Sequence, residues 1–398
     1  MGIVGAAMVL AAGLGAPGEH ALEVLPAEQR RAVDPQTGVE LLFLTTHPAR
    51  DLNLYFHERS FLADESLVLF ISDRPGGGLM GCILATGELV RLSTPAGPLT
   101  AATAARTGRR FYALRGRDVL EIGLSISTNP PGASRVAARE RLVARLPAQW
   151  QPATSLIENA DGSLLSVGAA SQDGGRAILT IDITSGHVRN VCSVEPGEFA
   201  GHVQWSRSDP NLLSYAGLKV RLNVVDVRSG EVTRPYAQAP GELVTHESWW
   251  GRGEILFVGG HRENEWHVKT LDPRTGVARI VGAGSWWPGA TPRELAKRNW
   301  WHAAASEDGA WVAADTFHGS IVLFDARTTR LVELTHGHRT YGGGEHPHVG
   351  WDRRGRRVVF ASNFLGDWNV CLAAVPEPGA HRERAPRTTA KMPVAGHP

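Results

Sequence analysis

Two histidines in the stretch "GGGEHPHVGWDRRGRRVVFAS" (342–362) have types and a spacing that could do chemistry. His346 and His348 are separated by one residue, so on an extended strand both side chains project from the same face. Two imidazoles so placed are half of a site for a divalent metal. The same spacing also occurs in pairs of hydrogen-bonded core histidines. The rest of the chain has to decide between these two readings.

A recurring hairpin places more histidines at a position equivalent to His348. Each copy is a strand, a turn rich in Asp and Gly, and a second, more apolar strand. When seven copies are aligned on the turn, the residues at the equivalent position are His57, Ala101, Ser155, His202, His246, His302 and His348. The chain has 16 histidines in 398 residues, so chance would supply fewer than one of these five. A packed core would favour apolar side chains there, and we therefore expect a functional site.

The elements that must position these histidines are strands. Short runs of Val, Ile, Leu and aromatic residues alternate with Gly, Asp and Ser turns, which is an all-β pattern. A second repeat, exemplified by "DPQTGVELLFLT" (34), "DITSGHVRNV" (182), "DVRSGEVTRP" (226), "DPRTGVARIV" (272) and "DARTTRLVEL" (325), recurs at a period that suits four-stranded blades. The sequence thus predicts a seven-bladed β-propeller. We expect the N-terminal strand "TGVELLFLT" to complete the last blade and close the ring.

Because the first strand of each propeller blade lines the central channel, the aligned histidines are expected to converge on the axis. A metal could be bound by His302, His346 and His348, with His246 and His202 left for substrate or proton transfer. The residue types alone do not decide which histidines bind metal and which titrate.

Other side chains could serve a substrate. Arg221, in "LKVRLNVV", could hold a carboxylate with its guanidinium; it could equally be a surface strand residue. His57 is a further candidate for substrate binding. Several of the twelve tryptophans crowd the histidine-bearing blades, among them Trp249, Trp250, Trp266, Trp286, Trp287, Trp300 and Trp301. Of these, Trp249 and Trp301 are the candidates for stacking against sugar, and wedging between blades is the alternative.

Composition sets limits on partners and domains. With 41 basic and 40 acidic residues, the charge balance indicates neither nucleic acid nor a membrane surface as a partner. The three cysteines are far apart and favour neither disulfides nor a Cys metal site. We expect an apolar, signal-like extension over 1–31, a propeller over 32–376, and a basic, Pro-rich tail over 377–398. The apolar start argues for a secreted or periplasmic protein, and a cytoplasmic location stays open as the alternative.

The segments "LYFHERSF", "GHVQW", "VRLNVVD", "THESWW", "WWHAAASEDG" and "HPHVGWDRRGRRVVFASNFLGDWNVCLAAVP" resemble, in order and spacing, those of the oligogalacturonate lyases, a seven-bladed propeller family. The resemblance covers most of residues 32–376. It implies a divalent metal, usually Mn²⁺, on His302, His346 and His348, with Zn²⁺ or Ca²⁺ as alternatives. It also implies a proton-abstracting His246 and a catalytic Arg221.

One family ligand has no counterpart in this chain. The family has a glutamine three residues before the HPH motif, where this sequence has Gly343. His338, Tyr341 or water could take its place, whereas Glu345 would lie on the opposite face of a regular strand.

The activity implied by the resemblance is β-elimination on an oligosaccharide that contains uronic acid. The metal and Arg221 would neutralise the C6 carboxylate, and His246 would remove the C5 proton. The alternatives are a lyase or hydrolase for another uronide, such as a rhamnosyl-glucuronate, ulvan or glucuronan, and a non-catalytic propeller of the TolB or WD-repeat kind that binds protein. No obligate protein partner is expected.

Overall fold

The computed structural model describes residues 18–94, 96–130, 132–195, 197–251, 253–261, 265–282, 292–326, 331–338 and 346–376. These residues form 32 strands and one five-residue helix, α1 (Pro292–Ala296). The strands of the first half are β1 (Glu19–Leu22), β2 (Val24–Leu25), β3 (Arg30–Val33), β4 (Glu40–Phe43), β5 (Asp51–Asn53), β6 (Leu67–Ser72), β7 (Gly78–Ile83), β8 (Leu89–Arg91), β9 (Thr100–Ala104), β10 (Arg110–Arg115), β11 (Asp118–Ser127), β12 (Arg135–Arg145), β13 (Gln151–Pro152), β14 (Ile157–Glu158), β15 (Leu164–Ala170), β16 (Arg176–Asp182) and β17 (Val188–Val194). Those of the second half are β18 (Gly201–Trp205), β19 (Leu212–Ala216), β20 (Leu222–Asp226), β21 (Glu231–Thr233), β22 (Leu243–Trp249), β23 (Ile255–Gly260), β24 (His267–Leu271), β25 (Ala278–Ile280), β26 (Trp300–Ala305), β27 (Trp311–Thr316), β28 (Ile321–Asp325), β29 (Leu331–Thr335), β30 (Gly350–Trp351), β31 (Arg357–Ser362) and β32 (Asn369–Ala374).

Seven antiparallel sheets are the blades of an all-β, seven-bladed propeller, as predicted. Blades 1 to 7 begin with β5, β9, β13 with β14, β18, β22, β26 and β30, and each continues outward through the strands that follow. The predicted closure is also confirmed, because β4 pairs with β32 in blade 7 with Phe43 opposite Cys371. Seven clusters of buried apolar side chains fill the spaces between neighbouring blades.

The Asp-containing repeat has a clear physical basis. Asp182 Oδ1 accepts hydrogen bonds from the backbone N–H groups of Thr184 (3.0 Å) and Ser185 (2.7 Å), and Gly186 follows with a φ of 72°. An Asp that caps its own turn and a Gly in the left-handed region together specify a tight connection. The repeat that starts at Asp325 runs into residues 327–330, which lie outside the described residues.

The sheets begin earlier in the chain than the expected boundary at residue 32. Strand β1 pairs with β12 at the outer edge of blade 2, and β2 pairs with β8 at the outer edge of blade 1. Strand β3 then pairs with β4 in blade 7. Residues 19–31 are therefore part of the propeller, since they cover strand edges that would otherwise be unpaired. Residues 1–17 and the tail from 377 lie outside the described residues.

Two smaller expectations concern cysteine and membranes. Cys82, Cys192 and Cys371 are all free and buried, as small apolar side chains should be. Among the described residues, no helix has both the length and the apolar composition needed to span a bilayer.

Candidate functional site

The aligned histidines do meet on the channel side of the blades. Ring centroids are 5.6 Å apart for His57 and His202, 6.0 Å for His202 and His246, 4.1 Å for His246 and His302, and 4.6 Å for His302 and His348. We call these five residues, together with His346, the histidine cluster.

A backbone irregularity presents several of these side chains to the channel. In blade 4, His202 and Val203 stand opposite the single residue Tyr215, which is a β-bulge, and His202 has a φ of 45°. In blade 5, His246 begins a similar bulge with a φ of 54°. The left-handed region is unfavourable for a side chain with a Cβ. Such strain is often found at functional sites. It could not be predicted from the residue types, because neither residue is Gly or Asn.

His346 and His348 belong to the cluster, but they do not lie on a strand as expected. Residues 346–349 precede β30 and are not in a strand, so alternation along a strand does not explain why both rings face His302. His348 has a φ of 50° instead. The ring centroids of His346 and His348 lie 5.4 and 4.6 Å from that of His302.

His302 has the surroundings of a metal-binding histidine. Its side chain is fully buried, and Nδ1 lies 2.8 Å from Asp315 Oδ2. With Asp315 ionised, Nδ1 carries the proton and the lone pair is on Nε2, which is buried and makes no hydrogen bond within the described residues. A carboxylate that orients an imidazole in this way is typical of metal sites. Burial raises the pKa of Asp315 to about 7, although the His302 backbone N–H opposes the shift.

The fit to a metal is partial. As placed, no three His, Cys, Asp or Glu side chains of the described residues form a metal-binding group. Gly343, Tyr341 and Glu345, on which the fourth-ligand question rests, lie outside the described residues. His338 does not fill the gap, because Nδ1 contacts Ser362 Oγ at 2.7 Å and Nε2 contacts Thr335 Oγ1 at 3.0 Å. The three imidazoles and the unpartnered Nε2 of His302 nevertheless provide the nitrogen donors that Mn²⁺ or Zn²⁺ accepts.

His246 has a buried ring nitrogen that could accept a proton. It is 8% exposed, and its Nδ1 is buried without a hydrogen bond among the described residues. Burial lowers its pKa well below the usual value, and the neighbouring His302 and His202 lower it further. The imidazole is thus neutral near pH 7 and has a lone pair available to accept a proton.

Arg221 lies at the same site and is tied to a residue that sequence reasoning missed. Its Nε donates to Glu247 Oε1, its Nη2 donates to Glu247 Oε2 at 3.3 Å, and the side chain is 21% exposed. Glu247 Oε2 also lies 2.8 Å from His202 Nδ1. The carboxylate therefore holds His202 and Arg221 in place, while Nη1 of Arg221 makes no hydrogen bond within the described residues.

Aromatic side chains complete the site. Trp301 contacts His246 with a ring-centroid distance of 4.5 Å and, with Trp266 and Phe317, forms an aromatic wall beside it. Trp249 does not belong to this wall. It is 1% exposed and its Nε1 donates to Ser214 Oγ at 2.9 Å, so a stacking role does not fit its position between blades. Trp286 and Trp287 lie outside the described residues.

Three further residues of the site were not predicted. Tyr55 and Phe56 enter the channel from a turn in blade 1; the Tyr55 hydroxyl lies 3.4 Å from His202 Nε2, and the Phe56 ring is 5.2 Å from that of His302. Asp315 is the third. A carboxylate in the otherwise apolar run "WVAAD" was a usable sign, because a buried charge requires a partner.

The comparisons with known proteins concern the fold. No family profile matches the sequence, and no curated protein matches it. Among solved structures, oligogalacturonate lyase from Vibrio parahaemolyticus is similar with a TM-score of 0.72 and 16% identity, over 90% of this chain and 99% of that one. Oligogalacturonate lyase in complex with manganese is similar with a TM-score of 0.73 and 16% identity, over 89% and 98%. The chain thus has the seven-bladed fold of these two lyase structures over nearly its whole described length.

Proposed function

We propose that the protein is a lyase that cleaves oligosaccharides containing uronic acid by β-elimination. The observation that carries the proposal is the juxtaposition of His246, neutral and with no hydrogen bond to its buried Nδ1 among the described residues, with a carboxylate-oriented His302 and with Arg221 at the same site. A scaffold for protein binding has no need of a buried imidazole cluster beside an arginine. The likeness in fold to oligogalacturonate lyases supports the same reaction class.

The residues divide the reaction between them. Arg221 would bind the C6 carboxylate of the uronide through Nη1, since Nε and Nη2 are held by Glu247. His246 would accept the C5 proton as general base. Trp301 would fix the sugar ring beside that base, because its indole already borders the imidazole. The glycosidic oxygen at C4 then leaves, and the product is a 4,5-unsaturated uronide.

His302, His346 and His348 would hold a divalent ion, for which we propose Mn²⁺, with Zn²⁺ or Ca²⁺ as alternatives. When bound, such an ion supplies positive charge that stabilises the enolate-like state of the carboxylate. When ionised, Asp315 would keep the lone pair of His302 on Nε2 for this purpose. His202 and His57 are proposed to border the substrate, with His202 fixed by Glu247.

The test is incubation of the purified protein with di- and trigalacturonate, glucuronan, ulvan and rhamnosyl-glucuronate oligomers, with and without Mn²⁺. We expect ultraviolet absorbance from an unsaturated product with at least one of these substrates. His246→Ala should lower kcat by about 10²–10⁴-fold, whereas His187→Ala, an exposed histidine in a blade 3 turn, should not change it. Products whose mass includes an added water would identify a hydrolase instead, and no product from any substrate would remove the proposal.

A further inference from the structure

A second polar site lies next to the histidine cluster, further along the inner strands. It is a cavity of about 130 Å³, and His57 and Gln204 are among the residues that border it. A single water needs only about 10–15 Å³ on the same measure, so the cavity has room for a small polyatomic ligand. Its charged lining residues are Arg59, Arg106, Glu158, Arg207 and Glu307.

The blade repeat itself brings these charges together. Arg106, Arg207, Glu307 and Arg353 each follow the aligned position of their blade by five residues. The same register that aligns the histidines therefore aligns three arginines and a glutamate five residues further along the chain.

The guanidinium groups at this level outnumber the carboxylates. Arg59 pairs with Glu158 at 2.7 Å and Arg353 with Glu307 at 2.8 Å. Arg106 instead donates through Nε to the Asn159 carbonyl at 2.6 Å. Four guanidiniums and two carboxylates leave a net charge of +2.

Arg207, like Arg106, has no carboxylate at ion-pair distance among the described residues. Its Nη1 donates to the carbonyls of Ala305 (2.8 Å) and Ser306 (3.2 Å). Burial lowers the pKa of Arg207. The charge of Glu307 opposes this shift, and the charges of Arg59 and Arg353 add to it. Burial and Arg59 likewise lower the pKa of Arg106 to about 10. Cations crowded in this way are stabilised by an anion.

We propose that this cavity binds a small dianionic oxyanion of the phosphate or sulfate type. Planar guanidiniums with spare N–H groups match the oxygens of such an ion. The proposal is independent of the lyase chemistry, since it uses none of the residues that would bind metal or remove a proton.

The test is calorimetric titration with inorganic phosphate, and separately with sulfate, at constant ionic strength set with chloride. We expect saturable binding of at least one ion and a rise in Tm on binding. The affinity and the rise in Tm should be the same before and after treatment with EDTA. This control is needed because a bound metal would itself attract phosphate. Arg207→Gln and Arg106→Gln should each weaken binding by about tenfold or more.

Two further variants separate a binding site from a general loss of stability. Glu307→Gln removes a negative charge and frees Arg353, so it should tighten binding, an effect that misfolding cannot produce. Arg354→Gln changes a guanidinium that is 61% exposed and lies in the same blade as Arg353. This variant should bind the ion with the same affinity as the unmodified protein. Absence of saturable binding, binding that disappears with EDTA, or binding unchanged by Arg207→Gln and Arg106→Gln would each overturn the proposal.

Discussion

Glu247 shows how a single buried side chain can hold a site together. It directly follows His246, contacts His202 and Arg221, and is 3% exposed as a side chain. Burial alone would raise its pKa, but the hydrogen bond from His202 and the charge of Arg221 outweigh burial and lower the pKa to about 2. The carboxylate is therefore ionised at every pH at which the protein is expected to work.

This shift makes a prediction about stability and pH. A carboxyl group whose pKa is lower in the folded protein stabilises the fold above its unfolded pKa, and that contribution is lost as the pH falls through the folded value. For Glu247 this loss of stability falls in the pH range between its ordinary pKa of 4.5 and its folded pKa of about 2. Glu247→Gln should cost on the order of 3 kcal/mol at neutral pH. The difference from the unmodified protein should narrow by about 2 kcal/mol between pH 7 and pH 3.

Urea unfolding of both proteins at the two pH values measures this difference. Other carboxyl groups titrate in both proteins and cancel when the two are compared. A difference in unfolding free energy that stays constant between pH 7 and pH 3 would contradict the assigned role of Glu247.

Asp315 makes a second prediction at the residue scale. In Asp315→Asn the amide group can donate to His302 Nδ1, which would move the ring proton to Nε2 and occupy the lone pair proposed to bind metal. Loss of an orienting partner of this kind typically costs about 10–100-fold in metal affinity. Titration with Mn²⁺ followed by calorimetry tests this. Asp367→Asn, in an exposed turn of blade 7, is the control, and equal affinities of the two variants would argue against a metal on His302.

At the scale of the element, the bulge on the inner strands appears where no histidine is present. In blade 2, Ala101 and Ala102 stand opposite Ala113, and Ala101 has a φ of 52°. The bulge is thus a property of the blade repeat, and blades 4 and 5 use it to carry His202 and His246. Ala101 therefore has the unfavourable left-handed conformation although its methyl side chain has no chemical role in the site.

Glycine at this position should therefore be tolerated or favoured. Relief of the left-handed strain is worth about 1–2 kcal/mol, and the extra freedom of an unfolded glycine costs about 0.5–1 kcal/mol. We expect Ala101→Gly to leave the free energy of unfolding unchanged or to raise it by about 0.5 kcal/mol. Ala104→Gly, at a buried site of the same strand without positive φ, should lower it by about 1 kcal/mol or more. Chemical denaturation decides, and equal losses in both variants would show that the bulge carries no strain.

The same elements show what the sequence could predict. Asp182 and Gly186 specify their turn by residue types that are visible in the sequence, so the period of the blades could be predicted. No residue type in the sequence indicates the bulge at His246, because the surrounding sheet holds this histidine in the left-handed region. The partner of Arg221 and the burial of Trp249 likewise depend on which blades face each other, and that is known only once the ring has closed.

At the scale of the whole molecule, the first 26 described residues join the first blade to the last. Strands β1, β2, β3 and β4 pair in turn with blade 2, blade 1 and blade 7. Between them, Glu28 bonds to Arg74, which is buried and also pairs with Asp51 of the first blade. The segment thus crosses the outer edges of two blades before it closes the third.

Removal of only the first two of these strands should weaken the ring without opening it. A truncated chain that begins at Pro26 keeps Glu28, β3 and β4 but leaves the edges of β8 and β12 unpaired. Exposed strand edges promote association between molecules. We expect a lower Tm and a protein-concentration-dependent rise in light scattering, both measured against a chain that begins at Gly18. If the two chains unfold at the same temperature and scatter light equally, β1 and β2 contribute nothing to the stability of the propeller, and its boundary lies near residue 32.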